Sequence, residues 1–348
     1  MIDFRYHLVS IVAVFLALAI GIVLGSTELQ GTTLDSLRGL TSSLKGQLSA
    51  AEAQRDGYAQ QAGASDAFLK TAEPKLLDAM LTGDRIVLVT EPGSPTSVVN
   101  GVKQAAALAG AAITGTVALA PKFNDLSGAT QASLAAINTQ LANSNGFTLT
   151  PAITSQTGYQ QNAAQLIAYA ILNQSADQAG LTTGQAQLVL QGYAQAGFLS
   201  DSGAPWNRAT LAVIVTPGSA PADGANDPAN QVLLAVAQEF ATLSAATLVA
   251  GSVAGTTPEG SAIRVLRGSS VSSQVSSVDN ADTTLGQIST MWAFATQRAG
   301  GKPSSYGILG ASEVSPQVPL PVPSVTPSVT VSPSQTATGE TTKTVGKK

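Results

Sequence analysis

The chain has 348 residues with a formal net charge of −4, and only 11% of them are charged, against about 25% in typical soluble domains. Proteins that bind nucleic acid need a basic face, so this composition argues against that class. There is no cysteine and the one histidine is His7, which excludes catalysis by a cysteine nucleophile and a metal site built on thiolates.

The first predicted element is an apolar helix within residues 1–26. Leu8 to Leu24 is a run of 17 residues without charge, and Ser10 is its only polar side chain. A membrane-spanning helix needs about 20 apolar residues and at least about 17. The run therefore predicts either a short membrane anchor or the core of a cleaved signal peptide, and the poor small-x-small cleavage site favours the anchor.

The flanks of this run predict its orientation. Arg5 precedes it, and the segment that follows is acidic to neutral as far as Arg38. The positive-inside rule then places the N-terminus in the cytoplasm and the rest of the chain outside. Gly21 and Gly25 have the G-x-x-x-G spacing that lets two helices approach closely, which is mild support for a dimer.

Residues 27–73 are predicted to form a coiled-coil stalk. A mostly apolar set of residues alternates at spacings of three and four, which is the a/d pattern of a heptad repeat; it comprises Leu34, Leu37, Thr41, Leu44, Leu48, Ala51, Arg55 and Tyr58. The leucines of this seam are Leu34, Leu37, Leu44 and Leu48. Several glycines make an isolated helix marginal, so we favour a parallel homodimer over a helix that folds back on its own domain. Pro74 is expected to interrupt the helix.

Residues 83–300 are predicted to form an extracytoplasmic α/β domain with a Rossmann-like parallel sheet and flanking helices. Two strand–helix–strand units carry this prediction. They are Arg85–Thr90, Thr96–Gly110 and Ala112–Leu119, and then Leu211–Thr216, Asn230–Ser244 and Thr247–Ala250. In both units the string V-T-(x)-P-G-S follows the first strand. Near-continuous apolar strands suit a sheet that is covered on both faces.

Further elements fill the same domain. Helical spacing recurs over residues 127–143, 161–173 and 183–197, with a helix stop at Gly197. Val275–Val278 is the predicted last strand, and Thr283–Arg298 is a closing helix. Residues 301–348 are rich in Pro, Ser and Thr, which predicts a disordered tail.

The two loops Glu91-Pro-Gly-Ser94 and Thr216-Pro-Gly-Ser219 are the candidate ligand-binding loops. They follow strand ends, where doubly wound sheets bind ligands. Neither contains G-x-G-x-x-G or a P-loop lysine, so we expect no nucleotide cofactor. The favoured interpretation is a cofactor-free shell that binds a protein, and a ligand site is the alternative. We identify no catalytic residues and predict that the chain is not an enzyme.

Acidic residues near the last predicted strand and the methionines are the remaining candidates for chemistry. Asp279 and Asp282 are too few for a divalent-cation site and are interpreted as caps of the helix at Thr283. Copper(I) prefers Cys and Met, and copper(II) prefers imidazole. Outside the apolar segment the chain offers only Met80 and Met291, so we predict no metal site and no cofactor.

The start of the chain, Phe4 to Gly25, closely resembles the mycobacterial copper transport protein B (MctB-like) family, which includes the corynebacterial cell-envelope protein SteB. The family's signature is R-x-H-x-V-S-x-x-A-V-F-L-A-L-A-x-G-x-x-L-G. It is matched at Arg5, His7, Val9, Ser10, Ala13–Ala19, Gly21, Leu24 and Gly25. A V-D-x-x-D stretch, at Val278-Asp279 and Asp282, and a Tyr306-Gly307 element also fit, and the similarity covers about residues 1–310.

The resemblance implies an actinobacterial envelope protein with one of two functions. One is a dimeric scaffold for cell-wall assembly and division that binds a SteA-like membrane protein, and the residues themselves favour it. The other is copper transport and homeostasis, for which an outer-membrane location has been proposed in the family. Copper enters only through this resemblance.

Overall fold

The computed structural model describes residues 4–149, 155–173, 181–200, 207–221, 223–317 and 346, and the backbone alone at residues 26–34. Its α-helices are α1 (Phe4–Leu77), α2 (Thr96–Leu108), α3 (Gly128–Asn145), α4 (Gly158–Ile171), α5 (Thr183–Gln195), α6 (Pro228–Leu243), α7 (Val253–Thr256), α8 (Ala262–Arg267) and α9 (Thr284–Arg298). Its strands are β1 (Arg85–Thr90), β2 (Ala112–Leu119), β3 (Leu199–Ser200), β4 (Leu211–Val215), β5 (Ala246–Ala250), β6 (Ser276–Val278) and β7 (Ser305–Tyr306).

Helix α1 contains both the apolar segment and the predicted stalk. It is continuous over 74 residues, a length of about 110 Å at 1.5 Å per residue. Its segment Arg5–Gly25 has a mean hydropathy of 2.9 and is long and apolar enough to cross a membrane. Leu37, Leu44 and Leu48 are between 54% and 63% exposed, so this part of the seam does not fold back on its own domain. The side chain of Leu34 lies outside the described residues.

The helix does not stop at Pro74, as the sequence analysis expected. Pro74 lies inside α1, which ends at Leu77. A proline removes one backbone donor from the helix, but this one stands only three residues before the end. The buried side chain of Leu77 packs into the core immediately afterwards, and we attribute the continuation of the last turn to this packing.

Within the described residues, one sheet of seven strands organises the α/β domain, in the order β3-β2-β1-β4-β5-β6-β7. All neighbouring strands are parallel except β3, which is antiparallel to β2. The chain leaves β1 toward β2 on one side and returns to place β4 on the other side. The strand order therefore reverses between β1 and β4, a topological switch point.

The sheet continues further along the chain than the sequence predicted. β6 is not the last strand, because Ser305–Tyr306 pairs with it as β7. Only two residues pair there, too few to give an alternating or β-branched signal. This strand lies beyond residue 300, where the sequence analysis placed the domain boundary. Residues 318–345 of the predicted tail lie outside the described residues.

Two apolar layers cover the two faces of the sheet. Val87 and Val89 of β1 point into one layer, which includes residues of α3, α4, α5, α6 and α8. Ile86 and Leu88 point into the other, which is formed with α2, α9 and the end of α1. Alternate residues of one strand are thus buried on opposite faces, which explains why β1 is apolar from Ile86 to Val89.

The C-terminal part of α1 is fixed directly to α9. The backbone N–H of Thr284 donates to Asp66 Oδ1 at 3.0 Å, and Trp292 Nε1 donates to the carbonyl of Leu76 at 3.0 Å. Thr283 caps α9 by accepting from the N–H of Gly286 at 3.2 Å. The end of the stalk therefore belongs to the packed structure of the α/β domain.

Candidate functional site

The two V-T-(x)-P-G-S loops meet at the switch point. The N–H of Glu91 donates to the carbonyl of Val215 at 3.1 Å, and the N–H of Gly218 donates to the carbonyl of Gly93 at 3.0 Å. Ser94 Oγ adds a hydrogen bond of 2.7 Å to the carbonyl of Val215. The repeat in the sequence therefore places two similar loops side by side at the carboxyl edge of the sheet.

Glycine is required in both loops. Gly93 has a φ of 83°, a conformation that residues with a Cβ rarely adopt. A Cβ on Gly218 would lie 2.9 Å from Cγ of Pro95 in the opposite loop. These glycines serve the packing of loop against loop, which is a different role from that of a phosphate-binding loop.

A cleft of about 220 Å³ opens beside these loops. Its lining comes from the loop after β1, the turn Pro121–Asn124, the loop after β4, and the first turns of α6 and α8. The polar lining residues are Glu91, Asn124, Thr216, Ser219 and Asn230, and three prolines, Pro92, Pro217 and Pro221, form much of its apolar wall. Among the described residues that line it, Glu91 is the one with an ionisable side chain.

The Glu91 carboxyl group is the most unusual group in the cleft. The residue is only 4% exposed, and its Oε1 atom has no hydrogen-bond partner among the described residues. Burial, helped by the nearby negative charge of Asp227, raises the pKa of this carboxyl to about 8. Removal from water disfavours the charged form of an acid, so Glu91 is protonated at neutral pH. Asn124 Oδ1 is a second buried oxygen of the cleft without a partner.

The helix N-terminus beside the cleft is already satisfied. Asp227 caps α6 and accepts from the N–H of Ala229 at 2.9 Å. The side chain of Asn230 donates to the carbonyls of Gly224 and Gly260, at 2.9 and 3.0 Å. The donors at this end of α6 are therefore engaged within the protein, whereas Glu91 Oε1 and Asn124 Oδ1 are free acceptors.

The acidic residues after β6 have a different role from the predicted one. Asp279 is fully buried and forms an ion pair of 3.0 Å with Arg267. It also accepts from the N–H groups of Ile308 and Leu309, both at 2.9 Å. The prediction that these residues cap the helix at Thr283 was wrong, because that cap is Thr283 itself, and Asp282 accepts instead from the N–H of Val253 at 3.0 Å.

The same ion pair connects two elements of the family resemblance. Arg267 also donates to the carbonyls of Leu309 and Tyr306, at 2.7 and 2.9 Å. Gly307 has a φ of 128°, and a Cβ there would collide with the carboxylate of Asp279. The V-D-x-x-D stretch and the Tyr-Gly element are therefore one structural unit that holds the chain after β7.

The other candidate residues are dispersed. Arg5, His7, Ser10, Gly21 and Gly25 all lie on α1, and a Cβ on Gly21 or Gly25 would meet nothing within 4 Å. Met291 is buried in the layer of α9, and Met80 packs at the edge of the same layer. Within the described residues, no group of three His, Cys, Asp or Glu side chains is arranged to hold a metal ion.

Sequence reasoning identified the loops but missed the group that distinguishes them. The sequence predicts a turn at Glu91 and gives no signal for Asn124. The available signal was an acid directly after a continuous apolar strand, since a residue in that position is close to the core. Its lack of a partner depends on β4, α6 and the turn at Asn124, which are distant in sequence.

Comparison with known proteins gives two concordant findings. The family model described as "Copper transport outer membrane protein, MctB" matches residues 1–316. A protein of Mycobacterium tuberculosis (strain ATCC 25618 / H37Rv) named "Copper transporter MctB" is 31% identical over 313 residues, covering 88% of this chain and 96% of the relative. A protein of the same name from Mycobacterium leprae (strain TN) is 29% identical over 316 residues, with the same coverage.

Proposed function

The chain belongs to the MctB family of copper transport outer membrane proteins, and from that premise we propose that it is a membrane-anchored component of copper transport or homeostasis. The observation that carries this proposal is the family match over residues 1–316, which includes the apolar segment, the long helix and the α/β domain. We also propose the orientation predicted from the flanking charges, with the α/β domain outside the cytoplasm.

The donor groups of the chain support an indirect role in copper handling. Copper(I) is held best by thiolates and thioethers, but the chain has no cysteine, and Met291 is fully buried in an apolar layer. The remaining carboxylates suit harder cations. We therefore propose that the protein supports copper transport through a partner or through the integrity of the envelope.

The exposed seam of α1 favours a second candidate function, a dimeric scaffold. Leu37, Leu44 and Leu48 have the spacing of a coiled coil and remain more than half exposed. A second copy of the chain would bury them in a parallel coiled coil. Helix α1 extends for about 80 Å beyond Gly25 at 1.5 Å per residue, so such a stalk would hold paired α/β domains away from the membrane, where a SteA-like membrane protein could be recruited.

Dimerisation is testable on the full chain in detergent micelles. We expect sedimentation to show a dimer, and we expect Leu37→Asp combined with Leu44→Asp to give monomers, because two charges would lie in the apolar seam. Leu188→Asp, on the exposed surface of α5, is the matched control and should leave the dimer intact. A wild-type monomer at micromolar concentration would contradict the stalk model.

Copper tolerance tests the main proposal. Cells that lack the protein should be more sensitive to copper, and the full chain should restore tolerance. Titration of the purified chain against a copper(I) chelator should show no stoichiometric site of submicromolar affinity. Unchanged copper tolerance together with a defect in cell-wall assembly would favour the scaffold function, whereas a tight copper site would contradict the indirect role.

A further inference from the structure

We propose that the cleft between the two V-T-(x)-P-G-S loops binds a small organic cation, a primary ammonium compound, with the Glu91 carboxylate as its counter-charge. This inference goes beyond the role in copper transport and does not rest on it. It depends on the position of the cleft, on the acceptors that the protein leaves free there, and on the absence of positive charge from the described lining.

The position of the cleft is the first argument. In open α/β sheets, ligands bind in the crevice outside the carboxyl ends of the strands at the switch point. The cleft lies there, between the ends of β1 and β4. Its volume of about 220 Å³ is below the 300–1,000 Å³ or so that is typical of drug-sized ligands, so the ligand must be small.

The free acceptors are the second argument. A glutamate is almost never fully buried unless it is paired, and a buried polar atom without a partner requires an explanation. Glu91 Oε1 and Asn124 Oδ1 are two such atoms, and both residues line the cleft. An ammonium group carries up to three N–H donors, the kind of group that these two oxygens lack.

The sign of the charge is the third argument. No lysine or arginine is among the described residues of the lining, and Asp227 adds negative charge beside Glu91. An anion would be repelled, and the donors of Asn230 are already engaged. A bare Ca²⁺ ion needs six to eight oxygen ligands, more than these two acceptors provide. Pro92, Pro217 and Pro221 instead offer apolar contacts for a short carbon chain.

Binding of a cation is coupled to loss of a proton from Glu91. The pKa of about 8 in the empty cleft means that the carboxyl group is neutral at pH 6 and must ionise to pair with an ammonium ion. An alkylammonium stays charged well above this range, since the pKa of lysine is about 10.4. The apparent affinity should therefore rise as the pH increases toward 8 and level off above it.

The charged groups around Glu91 do not alter this expectation. Asp227, at the start of α6, raises the pKa of Glu91, as burial does. Lys122, in the turn next to Asn124, donates to the carbonyl of Ala196. Arg264 of α8 donates to the carbonyl of Thr256. The described lining contributes no second titratable side chain.

The experiment measures binding of three probes of similar size to the full chain in detergent micelles, by titration with ligand-observed NMR. The probes are n-butylammonium, the neutral 1-pentanol and the anion butyrate. At pH 8 we expect n-butylammonium to bind at least tenfold more tightly than either of the others. Between pH 6 and pH 8 its affinity should rise by tenfold or more.

Three variants test whether n-butylammonium binds in the cleft or elsewhere on the protein. Glu91→Gln should abolish the preference for n-butylammonium and its pH dependence. Glu73→Gln is the matched control, because Glu73 is also buried with an unpartnered Oε1 but lies on α1, and it should bind like wild type. Ala229→Leu adds bulk to the cleft from the first turn of α6, and it should weaken n-butylammonium by tenfold or more.

Several results would overturn the proposal. These are equal affinity for the three probes, tighter binding of butyrate, no binding of any probe at about 100 mM, or an unchanged preference in Glu91→Gln. If Glu91→Gln does not fold, the pH dependence of the wild type and the effect of Ala229→Leu decide the question. A flat pH profile, or wild-type affinity in Ala229→Leu, would then contradict the assignment.

Discussion

Two buried acids, Glu91 and Asp279, follow parallel strands at the same edge of the sheet, and their surroundings differ completely. Asp279 follows β6 and is paired with Arg267 and with two backbone N–H groups. Glu91 follows β1, and its Oε1 atom has no partner in the part of the chain that the structure describes. The carboxylate in the first setting holds the fold together, whereas the carboxyl group in the second costs stability when it ionises and is the counter-charge of the ligand site proposed above.

Helix α1 shows the same contrast between satisfied and exposed groups. Leu77, at its end, is completely buried against the sheet, whereas Leu44, in the stalk, is 63% exposed. The buried end explains how the helix is joined to the α/β domain. In the dimer proposed above, a second chain would cover the exposed leucines.

Removal of Asp279 should have the largest effect on stability. Asp279→Ala would leave Arg267 buried without its counter-charge, and loss of one partner of a buried ion pair costs about 3–5 kcal/mol. Chemical unfolding of the full chain should show this loss. Asp282→Ala, which loses one hydrogen bond, is the control and should cost about 1 kcal/mol. If the two changes destabilise the chain equally, the buried ion pair of Asp279 contributes no more to stability than the single hydrogen bond of Asp282.

Leu77→Ala should destabilise the α/β domain by about 2–5 kcal/mol, because it creates a cavity in a packed layer. Leu44→Ala should leave the unfolding of that domain unchanged and weaken only the association of stalks. Thermal unfolding monitored by the fluorescence of Trp292 reports the stability of the domain, and sedimentation reports the association of stalks. An equal loss of domain stability in both variants would show that the stalk and the domain unfold as one unit.

Glu91→Gln should stabilise the domain at alkaline pH. The pKa of Glu91 is raised from 4.5 to about 8 in the folded protein, so the folded state keeps a proton that the unfolded state releases. The free energy of unfolding therefore falls by up to about 1.4 kcal/mol per pH unit between pH 5 and pH 8. Glu91→Gln should remove this slope. If the fall in stability with pH persists in Glu91→Gln, another titrating group causes it. Glu73→Gln is the control variant, because Glu73 is also a buried glutamate.

The smallest expected effect is at the junction of α1 and α9. Asp66→Ala removes the acceptor for the N–H of Thr284, and loss of such a cap costs about 1 kcal/mol. Thr283→Ala should cost a similar amount, because Thr283 caps the same helix. Chemical unfolding of the double variant completes the test. If its loss of stability is much larger than the sum of the losses in the two single variants, the two caps act together in holding the stalk to the domain.

The long apolar elements could be predicted from the sequence almost to the residue. β1 and β2 have the predicted bounds, and α9 begins one residue later than predicted, because Thr283 is its cap. Each of these has a local cause, such as an apolar run, a turn sequence or a capping residue. β3 and β7 have two residues each and exist only because a neighbouring strand is already in place, so no local signal identifies them.

The sequence by itself determined the apolar segment Arg5–Gly25, the seam of leucines and the family, because each is a pattern of neighbouring residues. It also placed the two V-T-(x)-P-G-S loops after strands. Only the tertiary structure decided that Asp279 is satisfied and Glu91 is not. Charge pairing in a folded protein depends on side chains that are far apart in sequence. The reversal of strand order between β1 and β4 brings Asn124 and α6 beside the Glu91 carboxyl group, and among the described residues no donor reaches its Oε1 atom.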